Sequence, residues 1–262
     1  MLCLVTGEIS TDPLSAAEIA SEWGVQNFEI KRIFDKRLPY VSEDGYQILE
    51  AVSKRFNVVA LSPGLFDKPM GNWLWNWDAG WKLDDSLRLC NKVGAGVMVV
   101  FGARKTGNES FQQVVDHFGN VAERAQAAGV VVAIEPHKGN YVETAETGAE
   151  LFKAVNSDFL GFNYDVSNCR GPGEEPGEGY DYAKPWIKHV HIKGSMRGED
   201  GKSMSCVACE GNLGWPELFR KFKADGIDVA FSIETHFKPR LEATRASIEN
   251  IKKLMTELGL EL

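Results

Sequence analysis

The sequence is short of most features that would place it in a special class. Cysteines number five, an odd count in a chain long enough to build its own core, and this fits reduced thiols rather than a disulfide framework. Cys206 and Cys209 form a C-x-x-C pair with no second pair at zinc-ribbon spacing, so they read as two loop cysteines. No window approaches the ~18 apolar residues of a membrane span, and "MLCLVTGEIS" has no basic stretch ahead of an apolar one. These absences predict a soluble, cytoplasmic chain with no membrane partner. Positive charge is also scarce: 29 Lys and Arg against 37 Asp and Glu leave a net charge of -8, which speaks against a nucleic-acid partner.

What is present is a rhythm. Short apolar runs alternate with helical patterns from end to end, the signature of βα units around a parallel sheet. Eight runs read as strands, starting at Leu2, Asn27, Val58, Val97, Val130, Leu160, Ile187 and Val229. Between them, Ser15 and Glu18 have capping-box spacing after Pro13, and Phe111, Val114, Phe118, Val121 and Ala125 lie on one helical stripe stopped by Gly129. Trp215 and Pro216 open a further helix, and Ile248, Ile251, Met255 and Leu258 line the last. The sixth unit breaks the pattern, because "CRGPGEEPGEGYDYAKP" predicts an irregular segment or lid instead of a helix. Eight such units in 262 residues predict one α/β domain over 1–262, a (β/α)8 TIM barrel with its site at the carboxyl ends of the strands. A doubly wound sheet is the alternative, but no Gly-rich phosphate fingerprint follows the first strand.

Side chains alternate faces along a strand. Val132 and Ile134 oppose Ala133 and Glu135; Phe162 and Tyr164 oppose Asn163 and Asp165; Val190 and Ile192 oppose His189 and His191; Phe231 and Ile233 oppose Ser232 and Glu234. If the bulky apolar set faces the helices, then Glu135, Asp165, His191 and Glu234 point inward from four consecutive strand ends. Three carboxylates in one cavity repel unless a cation or a proton intervenes. Taken singly, each residue more often makes a core hydrogen bond or ion pair; four at matching strand ends point to one shared divalent metal ion. The oxygen-rich set suits Mn²⁺, Co²⁺ or Mg²⁺ ahead of Zn²⁺ or Fe²⁺.

With these residues placed, the chain resembles the xylose isomerase-like barrel superfamily of sugar and sugar-phosphate isomerases and epimerases. The likeness is carried by "FEIK" at the second strand, "IEPH" at 134–137, "YDVSN" at 164–168, "HVHIKG" at 189–194 and "SIETH" at 232–236. The resemblance implies that Glu135, Asp165, His191 and Glu234 bind one divalent metal. It also matches Arg197 to a substrate-contacting arginine of ketose epimerases. Asn168 stands where many relatives have histidine, and Gly194 where they have an acidic residue.

Bound to a hydroxycarbonyl sugar, such an ion acidifies the intervening C–H by stabilising an enediolate. Glu135 and Glu234 then form the expected acid/base pair: one removes the proton, and the other returns it to the opposite face or to the neighbouring carbon. His137 and His236 are read as substrate-hydroxyl contacts or supports of the glutamates, and Lys193 as a partner for an oxyanion or phosphate or a rim lysine. Glu29 faces inward as a sugar-hydroxyl contact or an ion-pair partner. Trp75, in "GNWLWNWDAGW" with Trp73, Trp77 and Trp81, is read as a wall against the sugar, or as a hydrophobic plug or a homo-oligomer contact. The expected partner is a small sugar or sugar phosphate. The alternatives are a dehydratase on an inosose- or ketosugar-like substrate, an abasic-site endonuclease, for which five histidines and the acidic charge are ill suited, and a non-catalytic sugar-binding barrel.

Overall fold

The computed structural model describes residues 1–199 and 201–260, the side chains of Trp73 and Leu74 excepted. All eight expected strands form: β1 (Leu2–Val5), β2 (Asn27–Ile30), β3 (Asn57–Leu61), β4 (Val97–Phe101), β5 (Val131–Glu135), β6 (Leu160–Tyr164), β7 (Ile187–Ile192) and β8 (Phe231–Ile233). Each pairs in parallel with the next, and β8 pairs back onto β1, with Leu2 opposite Phe231, so the sheet closes into a barrel. A closed sheet leaves no edge to protect, which allows strands this short and this apolar.

Seven longer helices cover the barrel: α1 (Pro13–Glu22), α2 (Glu43–Arg55), α3 (Leu83–Val93), α4 (Phe111–Ala128), α5 (Ala145–Val155), α6 (Trp215–Ala224) and α7 (Arg240–Glu257). Local chemistry sets their ends. Ser110 and Gln113 form a reciprocal capping box at α4, and Gly129 ends that helix in the left-handed region at φ 68°. At α1 the expected box of Ser15 and Glu18 is not the start. Asp12 caps the helix by accepting from Leu14 N, and Ser15 donates back to Asp12 Oδ2 at 2.8 Å. Pro13 fixes this choice, because its locked φ suits the first helical position and its missing N–H is one the helix cannot use there. The sixth unit has two short helical pieces, Val166–Arg170 and Tyr180–Ala183, in place of one long helix. Two small hairpins interrupt the βα rhythm: Arg32–Ile33 with Lys36–Arg37 after β2, and Gly194–Arg197 with Ser203–Cys206 after β7.

Strand parity divides the molecule as the sequence pattern predicts. Phe162 of β6 meets Phe152 of α5 edge-on, with ring centroids 5.0 Å apart, and Phe231 of β8 lies 5.0 Å from Phe219 of α6. The opposite parity buries Glu29, Asn163, His189, His191 and Ser232 inside the barrel. Apolar packing therefore holds the shell together, while polar side chains fill the interior and have to be satisfied there.

His117 of α4 belongs to the apolar set although it can carry charge. Its ring lies 4.5 Å from that of Trp75 and 5.1 Å from that of Phe66, and its Nε2 has no hydrogen-bond partner. Burial, with Arg124 nearby, lowers its pKa to about 4. As pH falls below about 6.5 the unfolded chain takes up this proton before the folded chain does, so stability is lost between pH 6.5 and pH 4. The loss is at most about 3 kcal/mol. Urea midpoints measured across that window should fall in the parent, and the slope should flatten in His117→Phe; an equal slope in both would show that this ring does not set the acid sensitivity.

Candidate active site

The barrel ends at a pocket of about 450 Å³ at the carboxyl side of the strands, with Glu135, Glu234, Lys193, His137 and His236 in its lining. At its floor, Glu135, Asp165, His191 and Glu234 converge, each offering one atom, and these atoms lie within 4.8 Å of one another. Glu135 closes β5 and His191 sits in β7. Asp165 and Glu234 are the first residues beyond β6 and β8. The strands of β5–β8 stand side by side, so residues remote in sequence arrive together because their parity and height match.

Glu29 organises the floor from below. It is fully buried on β2, accepts from Ser62, and lies 2.9 Å from His189 Nε2 and 3.0 Å from His191 Nε2. Its expected sugar contact is therefore corrected: the pocket lining does not include it, and its partners are two imidazoles and a hydroxyl, not a barrel lysine or arginine. With Nε2 of His191 directed at Glu29, Nδ1 points at the cluster, 3.1 Å from Glu234 Oε2 and 3.7 Å from Glu135 Oε1. A carboxylate behind a histidine in this way fixes the ring and presents the other nitrogen as a ligand.

The charges are crowded. Two carboxylates ~4.8 Å apart repel by roughly 3–4 kcal/mol at an effective dielectric constant of about 20. Lys193 offsets part of this, with its Nζ 2.6 Å from Asp165 Oδ2, 3.1 Å from Glu234 Oε2 and 3.6 Å from Glu135 Oε1, and Lys31 pairs with Glu234 Oε1. Four carboxylates, Glu29 included, against two ammonium groups leave negative charge in excess, by two with His191 neutral and by one with it protonated. The histidine responds to that surplus. Burial alone would lower the His191 pKa, but the charge of Glu29 and the contacts with Glu135 raise it to about 8. Burial would likewise raise Glu135, yet His191, Lys193 and Lys31 hold it well below the usual carboxylate range.

Asn168, which departs from the histidine of many relatives, is part of the site. Its side chain donates to Glu135 Oε1 at 2.9 Å and accepts from Lys193 at 3.3 Å, while its backbone N–H binds Asp165 Oδ1. Gly194 also has a local reason: a Cβ there would collide with Cys206 O and Val207 in the hairpin after β7. His236 lies 3.1 Å from Glu234 Oε1 and donates its backbone N–H to Glu8 Oε2. Glu8 and Lys31 were missed in the sequence. Lys31 shares the inward parity of Glu29 and could have been found; Glu8 lies in a short 3₁₀ turn after β1, where strand periodicity gives no signal.

Two expected substrate contacts are placed elsewhere. Trp75 is buried and packs at 5.0 Å on Phe66 and against His117, so it plugs the core behind β3 and α4 and does not face the pocket. Its length and apolar neighbours favour the helix layer over the rim. Trp77 and Trp81 are about half exposed, 6.1 Å apart, with Tyr40 5.9 Å from Trp81; the Trp73 side chain lies outside the described residues. Arg197 pairs with Glu175 and donates to Arg170 O at 3.2 Å. Arg170 in turn binds the side chain and backbone of Asn212, so Arg197 belongs to a network joining two loops and is absent from the pocket lining. Cys206 and Cys209 are free thiols outside every metal-compatible cluster found among the described residues.

A closed eightfold barrel with an acid and histidine cluster at the carboxyl ends of its strands has the TIM-barrel architecture, with its pocket on the face where such barrels carry their sites. The chain belongs to the xylose isomerase-like TIM barrel family, whose model matches residues 17–254. Among curated proteins it is similar to the 3-dehydroshikimate dehydratase of Bacillus anthracis, 24% identical over 92 residues; that match spans 35% of this chain and only about a third, 33%, of the dehydratase. Among solved structures it is similar to the IOLI protein with a bound zinc atom (TM-score 0.81, 20% identity, 98% of each chain covered). It is also similar to a D-tagatose 3-epimerase-like protein (TM-score 0.79, 19% identity, 98% of each chain covered). Among the described residues no helix is long and apolar enough to cross a membrane.

Glu29→Ala should test the floor directly. Removing the shared partner of two buried imidazoles should cost about 3–5 kcal/mol in urea unfolding, with Glu29→Gln costing less. A loss below about 1 kcal/mol in the alanine variant would show that the carboxylate does not hold those rings.

Proposed function

We propose that this chain is a divalent-cation-dependent isomerase or epimerase acting on a sugar, a ketose or a related polyol-derived carbonyl compound. The observation that carries the reading is the excess of negative charge at the pocket floor, gathered on donor atoms that one divalent ion would draw together. The donor atoms fit such an ion: Asp165 Oδ2, His191 Nδ1 and both oxygens of Glu234 are buried without a hydrogen bond, reached only by ion contacts. Glu135, Asp165, His191 and Glu234 would hold it. The mostly oxygen set suits Mn²⁺, Co²⁺ or Mg²⁺, and the zinc-bound relative keeps Zn²⁺ in consideration alongside Fe²⁺. When bound, the ion would polarise the carbonyl and adjacent hydroxyl of the substrate and stabilise charge as the intervening C–H is broken.

The chain's own residues supply the proton transfers. Glu135 is oriented by Asn168 and lines the pocket, which places its carboxylate to accept a proton from carbon. Glu234 enters the pocket from β8, three strands away, with Lys31 and His236 beside it. Return of the proton by Glu234 to the opposite face of the same carbon inverts it; return to the adjacent carbon interconverts aldose and ketose. His137 and His236 line the pocket as donors or acceptors for substrate hydroxyls. The match to a 3-dehydroshikimate dehydratase supports a second reading, a dehydratase in which the same proton removal is followed by loss of a β-hydroxyl. A pocket of about 450 Å³ suits a sugar-sized ligand and disfavours a duplex substrate.

Metal analysis of the purified protein should find close to one divalent ion per chain, and Asp165→Ala should lower that occupancy. Exchange of substrate hydrogen with deuterated solvent, screened over ketoses, aldoses, inososes and their phosphates, should fall by ~10²–10⁴ in Glu135→Gln and in Glu234→Gln. Exchange at the parent rate in either variant removes that residue from the acid/base pair, and a lighter, dehydrated product assigns the second reading.

A further inference from the structure

In a chain with more acid than base, an arginine without a carboxylate partner needs a reason. Eight arginines have one, from Arg55 with Glu18 to Arg245 with Glu249. The remaining three, Arg32, Arg37 and Arg240, form no ion pair among the described residues, and all three line the pocket above the Glu135 and Glu234 cluster. They come from the segments that follow the two strands flanking β1. Arg32 and Arg37 face each other in register across the hairpin after β2, while Arg240 opens α7 after β8.

Each is free to bind. Arg37 lies with its guanidinium carbon 5.8 Å from the centre of the Phe101 ring, and its Nε is buried without a hydrogen bond. Arg240 spends one contact on Gly7 O at 3.3 Å, and the helix it opens has no side-chain cap on its first-turn amides. Lys31 and Lys193 also line the pocket, but the floor carboxylates occupy them. The acidic floor and the arginine rim are thus two separate zones of one pocket. The charge of Glu135 reaches Arg37, and Glu8, the lining carboxylate outside the floor cluster, is engaged by His236. A divalent ion at the floor would offset Glu135 and leave three arginines without an ion-pair partner. Guanidinium groups recognise carboxylate and phosphate oxygens through paired N–H donors, and an uncapped helix start adds to that preference.

We propose that the substrate carries an oxyanion, a carboxylate or a phosphate, which Arg32, Arg37 and Arg240 hold at the rim while its carbonyl end reaches the floor. This rests on reading the pocket as the site of a carbonyl compound, and it narrows that class from neutral sugars to anionic ones.

Calorimetric titration of the metal-loaded protein at low salt with inorganic phosphate and with malonate tests it without any turnover. One of the two should bind, and Arg37→Gln and the exposed Arg240→Gln should each weaken that binding at least tenfold with an unchanged thermal midpoint. Phosphate binding alone assigns a phosphorylated substrate, and malonate alone a carboxylated one. Absence of binding by the parent, or binding that neither substitution weakens, overturns the proposal; the latter result would seat the anion on the metal. Solvent-exchange measurements are separate, so proton transfer on a neutral ketose would survive such a failure, while anion binding that persists in Glu135→Gln would survive loss of exchange.

Discussion

Everything at the mouth of this barrel follows from one electrostatic constraint: four buried carboxylates share one interior. A shell of phenylalanine, valine and isoleucine facing the helices is robust to such crowding, because its packing does not depend on what the inner face carries. The inner face has no such latitude. Glu29 is balanced by His189, His191 and Ser62, Glu234 by Lys31, and Asp165 by Lys193. Each partner sits on or just beyond a barrel strand or its following turn, so the architecture itself fixes the electrostatics.

The vertical order of these charges gives the site its polarity. Glu29 lies deepest and takes Nε2 of His191, which turns Nδ1 upward; the metal-compatible atoms form the next layer, and the arginines form the outermost one. A ligand entering from solvent would meet positive charge first and an acidic floor second. Such layering orients a molecule with one anionic end before any chemistry begins.

Most of the framework was legible in the sequence because barrel strands obey a period of two. Parity alone places Glu29, Asp165, His191 and Glu234 inside, and the parallel pairing of β5–β8 brings their carboxyl ends to one side of the barrel. Parity does not say how deep a residue sits, which is why Glu29 reads as a sugar contact when it is the base beneath His191. It also carries no information beyond the strand ends. Trp75 follows β3 closely enough to suggest a rim position, yet its indole turns into the helix layer because Phe66 and His117 offer an apolar slot. Arg37 and Arg240 lie in a hairpin and at a helix start, where only three-dimensional proximity reveals that they share a pocket. Arg197 matches a family position, but Glu175, brought near by the irregular sixth unit, claims its guanidinium.

That sixth unit has a further consequence. Because no long helix follows β6, the segment after it is braced by Arg170, Glu175, Asn212 and Arg197, which stitch it to the hairpin after β7. The two loops therefore behave as one module for protein engineering. Lengthening or transplanting either without its counterpart would strand a buried guanidinium, so diversity on this wall has to be introduced in matched pairs.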